Sequence, residues 1–149
     1  MYKTILVPLD GSKRAEFILP HVETLARNFK GKVILFVAIE PVVMLEYNEI
    51  IGMSEFMKKT DDLKETTAAY LHSLKERFSK KGIDVRTRIS HGPTVKAIVD
   101  AAELEHADLV AMASHGRTGL SRTFYGSVAA GVLQRIDRPL LLIRSRGDE

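Results

Sequence analysis

The sequence contains no cysteine and no tryptophan, and each absence excludes a group of functions. Without cysteine the chain has no disulfide scaffold, no zinc–thiolate or iron–sulfur site and no thiol nucleophile. Lysine and arginine are spread along the chain rather than grouped with stacking aromatics, so we expect no specific nucleic-acid binding. The 22 basic and 19 acidic residues give a formal net charge of +3, which is typical of an ordinary solvated surface.

Long apolar runs are absent as well. No stretch approaches the roughly 18 apolar residues of a membrane-spanning helix. Met1-Tyr2-Lys3 leads directly into an apolar strand rather than into a signal peptide, so we expect a cytoplasmic protein without membrane contact. The length of 149 residues and the 45% hydrophobic composition predict one domain, residues 1–149, whose core needs no disulfide or metal.

Short apolar runs alternate with longer segments of helical period. The first helix is predicted to begin at Ser12 as its N-cap and to be kinked by Pro20, which removes a backbone donor. Continuous apolarity, as in residues 33–39, indicates a strand buried on both faces. The alternation predicts an α/β fold with an open five-stranded parallel sheet and helices on both faces. The predicted strands are residues 4–9, 33–39, 84–89, 109–113 and 140–144, and the later helices are residues 54–81, 93–105 and 127–136.

Two segments do not fit this scaffold. Residues 40–52 are apolar without a clear period, and a short extra helix, a lid, a partner surface and core filling all remain open for them. Residues 114–127 form a strand-to-helix connection that is long for such a loop, and long loops are often functional.

The second segment is rich in glycine. Gly116, Gly119 and Gly126 would let backbone N–H groups approach an anion, and the N-terminus of the helix that begins near Ser127 adds positive dipole. This composition predicts phosphate binding, although the glycines could also only shape a turn. The Walker pattern is absent, and the turn at residues 10–12 has one glycine, which argues against a standard dinucleotide site.

Residues 112–116, followed by nine residues and then residues 126–127, resemble the ATP-binding signature of the universal stress protein family. That signature is Gly, two residues, Gly, nine residues, Gly, and then Ser or Thr. Residues 5–12 are similar to the first strand and turn of the family, and residues 138–143 resemble its last strand. Ala113 stands where the signature has its first glycine, but it keeps the backbone N–H.

The resemblance implies a Rossmann-like sheet of the adenine-nucleotide α-hydrolase type with strand order 3-2-1-4-5. The first and fourth strands are then neighbours, and ligands of such sheets bind beyond the strand ends where the winding reverses. The resemblance implies ATP and Mg²⁺ as ligands and, as contact residues, Pro8 in the nucleoside pocket, Asp10, Ala38 and Ile39 beside adenine, Ala113, and Gly116, Gly126, Ser127, Val128 and Ala129 at the phosphates.

Asp10 has two interpretations. The resemblance implies that it binds the ribose or reaches the Mg²⁺ on the phosphates, whereas its position in a turn also suits an Asx turn or a helix cap. The two roles can coexist. The scattered histidines give no metal-ligand spacing, and we predict neither a catalytic residue nor a metal site made by the protein alone.

Three functions remain open. The first is an ATP-binding stress-response protein that acts as a nucleotide-dependent switch or sensor with at most slow or partner-dependent hydrolysis, since no general base is evident. The second is a homodimeric interaction module of the same fold that binds no nucleotide. The third, an adenylyl-transferring enzyme, lacks the Ser-Gly-Gly-x-Asp-Ser loop and the His-x-x-His pair of that group.

The last predicted strand carries a prediction about assembly. Leu140, Leu141, Leu142 and Ile143 are all apolar and should lie at a sheet edge. An exposed apolar edge favours aggregation unless it is covered. We therefore expect a homodimer through this strand, formed by antiparallel pairing about a two-fold axis, besides an unidentified protein partner.

Overall fold

The computed structural model describes residues 1–40, 52–114 and 126–145, with Met53 described by its backbone alone. The predictions for residues 41–51 and for Gly116 lie outside the described residues. The elements are β1 (Thr4–Leu9), a 3-10 helix (Ala15–Ile18), α1 (Leu19–Phe29), β2 (Lys32–Ile39), α2 (Met53–Ser79), β3 (Val85–His91), α3 (Thr94–Leu104), β4 (Leu109–Ser114), α4 (Ser127–Arg135) and β5 (Leu140–Arg144).

The five strands form one parallel sheet in the order β3-β2-β1-β4-β5, which confirms the predicted fold class. Buried side chains of α1 and α2 pack on one face of the sheet, and those of α3 and α4 pack on the other. The strand order reverses between β1 and β4, because the chain builds outward from β1 in one direction and then returns to its other side. A ligand crevice is expected at the carboxyl ends of these two strands.

The first helix differs from its prediction. Residues 15–18 form a 3-10 helix, and α1 begins only at Leu19, so Ser12 does not cap α1 itself. Pro20 lies in the first turn of α1 rather than in its interior. The first turn has no intrahelical acceptor for its N–H groups, so proline costs nothing there and marks the start of the helix instead of a kink.

The central strands β1 and β4 are joined mainly at their amino ends. The Asp108 carboxylate accepts hydrogen bonds from the backbone N–H groups of Lys3 and Thr4, at 2.9 and 3.1 Å. The ladder then runs through the Ile5–Leu109 and Leu6–Val110 pairs, whereas β1 pairs with β2 over its whole length. The carboxyl ends of β1 and β4 therefore leave room for a cavity between them.

The end of the described chain is fixed to the sheet. The Ser145 hydroxyl and backbone N–H both donate to the carbonyl of Ser114, at 2.7 and 3.1 Å, and Ser145 is fully buried. This contact holds the end of β4 against the end of β5. Among the helices in the described ranges, none combines the length and the apolarity that crossing a bilayer requires.

Candidate functional site

A cavity of about 320 Å³ opens at the carboxyl edge of the sheet, where the reversal of strand order predicts it. Its floor is apolar and includes Phe36, Ile98 and Met112, and its rim carries polar groups. The polar groups on its wall are Asp10, Ser12 and Arg14 after β1, Glu40 after β2, Thr94 at the start of α3 and Ser114 at the end of β4.

The Asp10 side chain organises the turn after β1. Its Oδ1 atom accepts hydrogen bonds from the Ser12 backbone N–H at 2.9 Å and from the Ser12 hydroxyl at 2.6 Å. The Ser12 oxygen in turn accepts the N–H of Ala15 at 3.2 Å. The Asx turn is therefore present. Both bonds end on Oδ1, so the second carboxylate oxygen, Oδ2, remains available as an acceptor for a ligand or a metal at the cavity.

A second contact anchors this region to α2. The Tyr70 hydroxyl, on α2, donates to the Glu16 carboxylate of the 3-10 helix at 2.8 Å. Burial, followed by the hydrogen bond and the charge of Glu16, raises the pKa of Tyr70 above its ordinary value, so the phenol keeps its proton. Asp10 also raises this pKa, which places its charge near the same pair. The contact fixes the segment that follows Asp10.

Glu40 lies directly beyond β2 and satisfies the first turn of α3. Its Oε2 atom accepts hydrogen bonds from the Thr94 hydroxyl at 2.7 Å and from the Thr94 backbone N–H at 3.1 Å. These bonds, the side-chain bond first, lower the pKa of Glu40, so the group is ionised at neutral pH. The positive end of α3 is therefore occupied by a carboxylate from a distant part of the sequence.

The first turn of α4 is different. Gly126 is its N-cap, with φ 87° and ψ 151°, and no side chain of the described residues forms a cap hydrogen bond there. The first turn of α4 contains no acidic residue. Gly126 is buried and Ser127 is exposed. The N–H groups of this turn and the positive end of the helix thus face the edge of the sheet without an anionic side chain of their own.

The structure brings together part of the predicted set. Ile39 does not line the cavity, because consecutive side chains of a strand point to opposite faces and Ile39 packs in the core beneath α1 and α2. Gly126 and Ser127 adjoin the cavity as the residues before Val128, but they are not part of its wall. The predicted residues that do line the cavity are Pro8, Asp10, Ala38, Ala113, Val128 and Ala129.

The sequence analysis missed the Glu40–Thr94 pair. Its signal is weak, because the two residues are 54 positions apart and meet only through the packing of α3 beside β2. Ser12 and Arg14 could have been found from their position after β1, whose carboxyl end was already expected at the site. The apolar floor from β2, α3 and β4 follows from doubly buried strands, but its exact members depend on strand orientation.

No cluster of three metal-ligating side chains exists among residues 1–40, 52–114 and 126–145. Within the cavity wall, Asp10 offers one carboxylate oxygen beyond its turn. Mg²⁺ is commonly held by one or two carboxylates, several waters and substrate phosphates. The residues present therefore fit a metal that arrives with a phosphate ligand, and they do not form a cage by themselves.

Residues 1–144 match the universal stress protein family. Universal stress protein MJ0531 of Methanocaldococcus jannaschii is 32% identical over 146 residues, which are 97% of this chain and 83% of that protein. The solved structure of MJ0577 superposes with a TM-score of 0.82 at 29% identity and covers 99% of both chains.

A universal stress protein solved in complex with cAMP has the same fold, with a TM-score of 0.71 at 23% identity. It covers 96% of this chain, and this chain covers 97% of it. The match to the family spans the sheet, the cavity and α4 together. The chain is a member of the universal stress protein family.

Proposed function

We propose that this protein binds ATP in the cavity between the ends of β1 and β4 and acts as a nucleotide-dependent regulatory switch. One observation carries the proposal: an apolar cavity lies beside a helix N-terminus that has no side-chain cap. The cavity suits a nucleoside, because ligand sites of about 300–1,000 Å³ are mostly apolar with a few polar groups for orientation. The helix end suits phosphate.

The contrast between α3 and α4 supports the placement of the phosphates. A phosphate at the start of α3 would meet the Glu40 carboxylate, which already accepts the Thr94 donors. The first turn of α4 itself contains no acidic residue that would compete with phosphate. In this proposal the phosphates bind backbone N–H groups around Gly126 and Ser127 together with Gly116, and Val128 and Ala129 contribute further donors.

The relative solved with cAMP supports an adenine nucleotide as the ligand class. In the proposal, Pro8 and Ala38 border the nucleoside, Ala113 lies beside the phosphates, and Asp10 faces the ribose or the Mg²⁺ that accompanies the phosphates. The metal would neutralise phosphate charge. The Asp10 Oδ1 atom remains committed to Ser12, so contact with ligand or metal falls to Oδ2.

The test is calorimetric titration of the purified chain with ATP, ADP, AMP and cAMP, each with and without Mg²⁺. We expect saturable binding of ATP that Mg²⁺ strengthens, and a difference between ATP and ADP, because a ligand switches a protein only through differential affinity. Failure of every adenine nucleotide to bind at millimolar concentration would leave the interaction module of the same fold as the function.

Gly126→Val provides the test of the phosphate position. The branched side chain would project where phosphate approaches the backbone, and φ 87° is unfavourable for valine. ATP affinity should fall tenfold or more, about 1.4 kcal/mol or above. Gly82→Val is the matched control, because Gly82 has φ +79° with open space around it and precedes β3 at the opposite edge. Equal losses in both variants would refute the phosphate position.

We also propose that the chain forms a homodimer through β5. Leu140, Leu141, Leu142 and Ile143 are each only half-buried in the single chain, and β5 is an edge strand. Pairing with a second β5 would supply partners for the outer backbone groups and cover the partly exposed leucines.

Sedimentation measures this assembly directly. We expect a dimer for the wild type and a monomer for Leu141→Lys, which places a charge in the paired edge. Leu63→Lys is the control, because Leu63 is 44% exposed on α2, whose contacts with the sheet are to β2 and β3. A wild-type mass that remains monomeric at all concentrations would end this part of the proposal and leave nucleotide binding untouched.

A further inference from the structure

Helices α3 and α4 lie so close together at Gly131 of α4 that no side chain fits there. A Cβ atom added to Gly131 would lie 2.7 Å from one methyl carbon of Val95, on α3, and 3.2 Å from the other. Non-bonded carbon atoms ordinarily stay about 3.5–4.0 Å apart. Glycine is also, after proline, the least favourable residue in a helix interior. The presence of glycine in α4 is therefore explained by the contact with α3 and not by the needs of the helix itself.

Val95 belongs to a part of the structure that does not yield easily. It is the second residue of α3, directly after Thr94, whose hydroxyl and backbone N–H are bound to the Glu40 carboxylate. A valine in a helix has essentially one preferred χ1 conformation, and Val95 packs against the core cluster on this face of the sheet. A methyl group added at Gly131 would therefore push α4 away from α3 instead of turning the Val95 side chain.

The far end of α4 is held to α3 by Arg138, three positions beyond the last residue of α4. The Nη1 atom of Arg138 donates to the backbone carbonyls of Ala102, in α3, and Ala107, just after it, at 2.8 and 3.0 Å. A displacement at Gly131 would therefore be small near Arg138 and largest at the opposite end of the helix. That end is the first turn of α4, and it would move by roughly 1 Å if ordinary carbon–carbon contacts were restored.

We propose that Gly131 is a positioning residue of the nucleotide site, because it lets α4 lie close enough to α3 for its first turn to reach the phosphates. This inference rests on the proposed function, in which the N–H groups of that turn bind phosphate. An N–H···O hydrogen bond needs a donor–acceptor distance of about 2.7–3.2 Å, so a displacement of roughly 1 Å removes it. Gly131 is outside the cavity wall and acts only through the placement of the helix.

The experiment measures ATP binding to Gly131→Ala by calorimetry, and adenosine binding by competition with ATP. Alanine is favoured over glycine within a helix, so the variant should fold, and circular dichroism checks this. We expect ATP affinity to fall about tenfold, which corresponds to the loss of one charge-assisted hydrogen bond. Adenosine affinity should change much less, because adenosine carries no phosphate. Unchanged ATP affinity would overturn the inference, and so would equal losses for ATP and adenosine.

Val95→Ala in the Gly131→Ala background tests the contact itself. It removes both methyl carbons, and the Cβ atom that remains at position 95 lies 3.5 Å from the added atom, an ordinary van der Waals distance. The double variant should recover most of the lost ATP affinity. A double variant that binds ATP as weakly as Gly131→Ala would overturn the inference and leave the proposed function intact.

Gly82→Ala is the control for a loss of stability without a change in position. Gly82 has φ +79°, which is unfavourable for alanine, and no described atom lies within 4 Å of the added methyl group. This variant should lose stability and keep its ATP affinity. An equal loss of ATP affinity in Gly82→Ala and Gly131→Ala would overturn the inference, and failure of the wild type to bind ATP would overturn it together with the proposed function.

Discussion

Helices α3 and α4 pack on the same face of the sheet, yet their N-termini are completed in different ways. Glu40 reaches from the end of β2 to the first turn of α3 and accepts both donors of Thr94. Helix α4 has Gly126 as its N-cap, no cap hydrogen bond from a side chain in the described ranges, and no acidic residue in its first turn. The N–H groups at a helix N-terminus can thus be satisfied by another part of the fold, as in α3, or remain available to a ligand, as in α4.

The backbone at the two caps follows this division. Pro93, the N-cap of α3, has φ −60° and ψ 134°, an ordinary extended conformation. Gly126 has φ 87°, which residues with a side chain adopt only at a cost of about 1–3 kcal/mol. The positive φ of Gly126 places backbone without a side chain at the start of α4. The start of α3 has an ordinary backbone conformation, and its Thr94 donors are bound to Glu40.

The largest effect should come from making α4 resemble α3. Ser127→Asp places a carboxylate at the first residue of α4, where it competes for the free N–H groups and repels phosphate. We expect ATP affinity to fall more than tenfold, about 1.4 kcal/mol or more. The melting temperature should stay equal or rise, because an acidic residue in the first turn favours the helix. Calorimetry and thermal unfolding measure the two effects.

Ser127→Asn is the control that distinguishes the effect of the aspartate charge on ATP affinity from the effect of its size. Asparagine has nearly the volume of aspartate but no charge, so its loss of ATP affinity should be clearly smaller. If Ser127→Asp bound ATP as the wild type does, the first turn of α4 would not be the phosphate site, and the contrast with α3 would have no functional meaning.

A smaller effect is expected from weakening the cap of α3. Thr94→Val removes the 2.7 Å hydrogen bond from the hydroxyl to Glu40 and keeps the backbone bond. We expect a small loss in the free energy of unfolding, because the ionised carboxylate keeps only one of its two Thr94 donors. Urea and thermal unfolding measure this loss.

Thr66→Val is the matched variant for this measurement. Thr66 is exposed on α2, and its hydroxyl donates to the Asp62 carbonyl within the same helix. We expect little change in the free energy of urea unfolding, because this exposed bond joins no separate elements. Equal losses for both variants would show that the Glu40–Thr94 contact has no special weight in the stability of α3.

The smallest effect is the pH dependence of the same cap. The hydrogen bonds from Thr94, the side-chain bond first, lower the pKa of Glu40 below its ordinary value of 4.5, so folding favours the ionised form. The stabilisation is complete above the unfolded pKa and is lost as the pH falls through the folded pKa. The difference in unfolding free energy between wild type and Glu40→Gln should therefore be constant near neutral pH and shrink below pH 4.5.

Urea unfolding at a series of pH values gives this difference, with Glu103→Gln as the baseline for removal of an exposed carboxylate from α3. A gap between wild type and Glu40→Gln that is the same in acid and at neutral pH would contradict ionisation-linked capping.

Features that depend on neighbouring residues could be predicted from the sequence, whereas contacts between residues far apart in the sequence could not. The bounds of β1 and β5 follow from apolar runs with clear ends, and the sequence predicts them as the structure has them. The strand order was expected from the family resemblance and is confirmed. Ile39 was predicted beside adenine, and its side chain lies on the face of the sheet away from the cavity, because a strand buried on both faces has no alternation to mark which residues face the cavity.

The Glu40–Thr94 contact, between residues 54 positions apart, could not be predicted from the sequence. Glu40 belongs to a segment without period, and Thr94 follows a proline that signals only the start of a helix. Their contact depends on the pairing of β2 with β3 and on the packing of α3, and no sequence pattern around either residue indicates it. Pro20 was predicted to kink the first helix, and this prediction was wrong, because the 3-10 helix before it places Pro20 in the first turn of α1.

The joining of β1 to β4 has a consequence for the order in which the site is made. Strands β1, β2 and β3 are complete once the ribosome has passed His91, and they pair with one another in sequence. The Asp108 anchor of β1 is more than 100 positions from Lys3, and contacts of such separation form late. The cavity therefore has one wall early in synthesis and receives its second wall, from β4 and α4, only after Arg135 has been added, so a nascent chain can hold a ligand here only from that point onward.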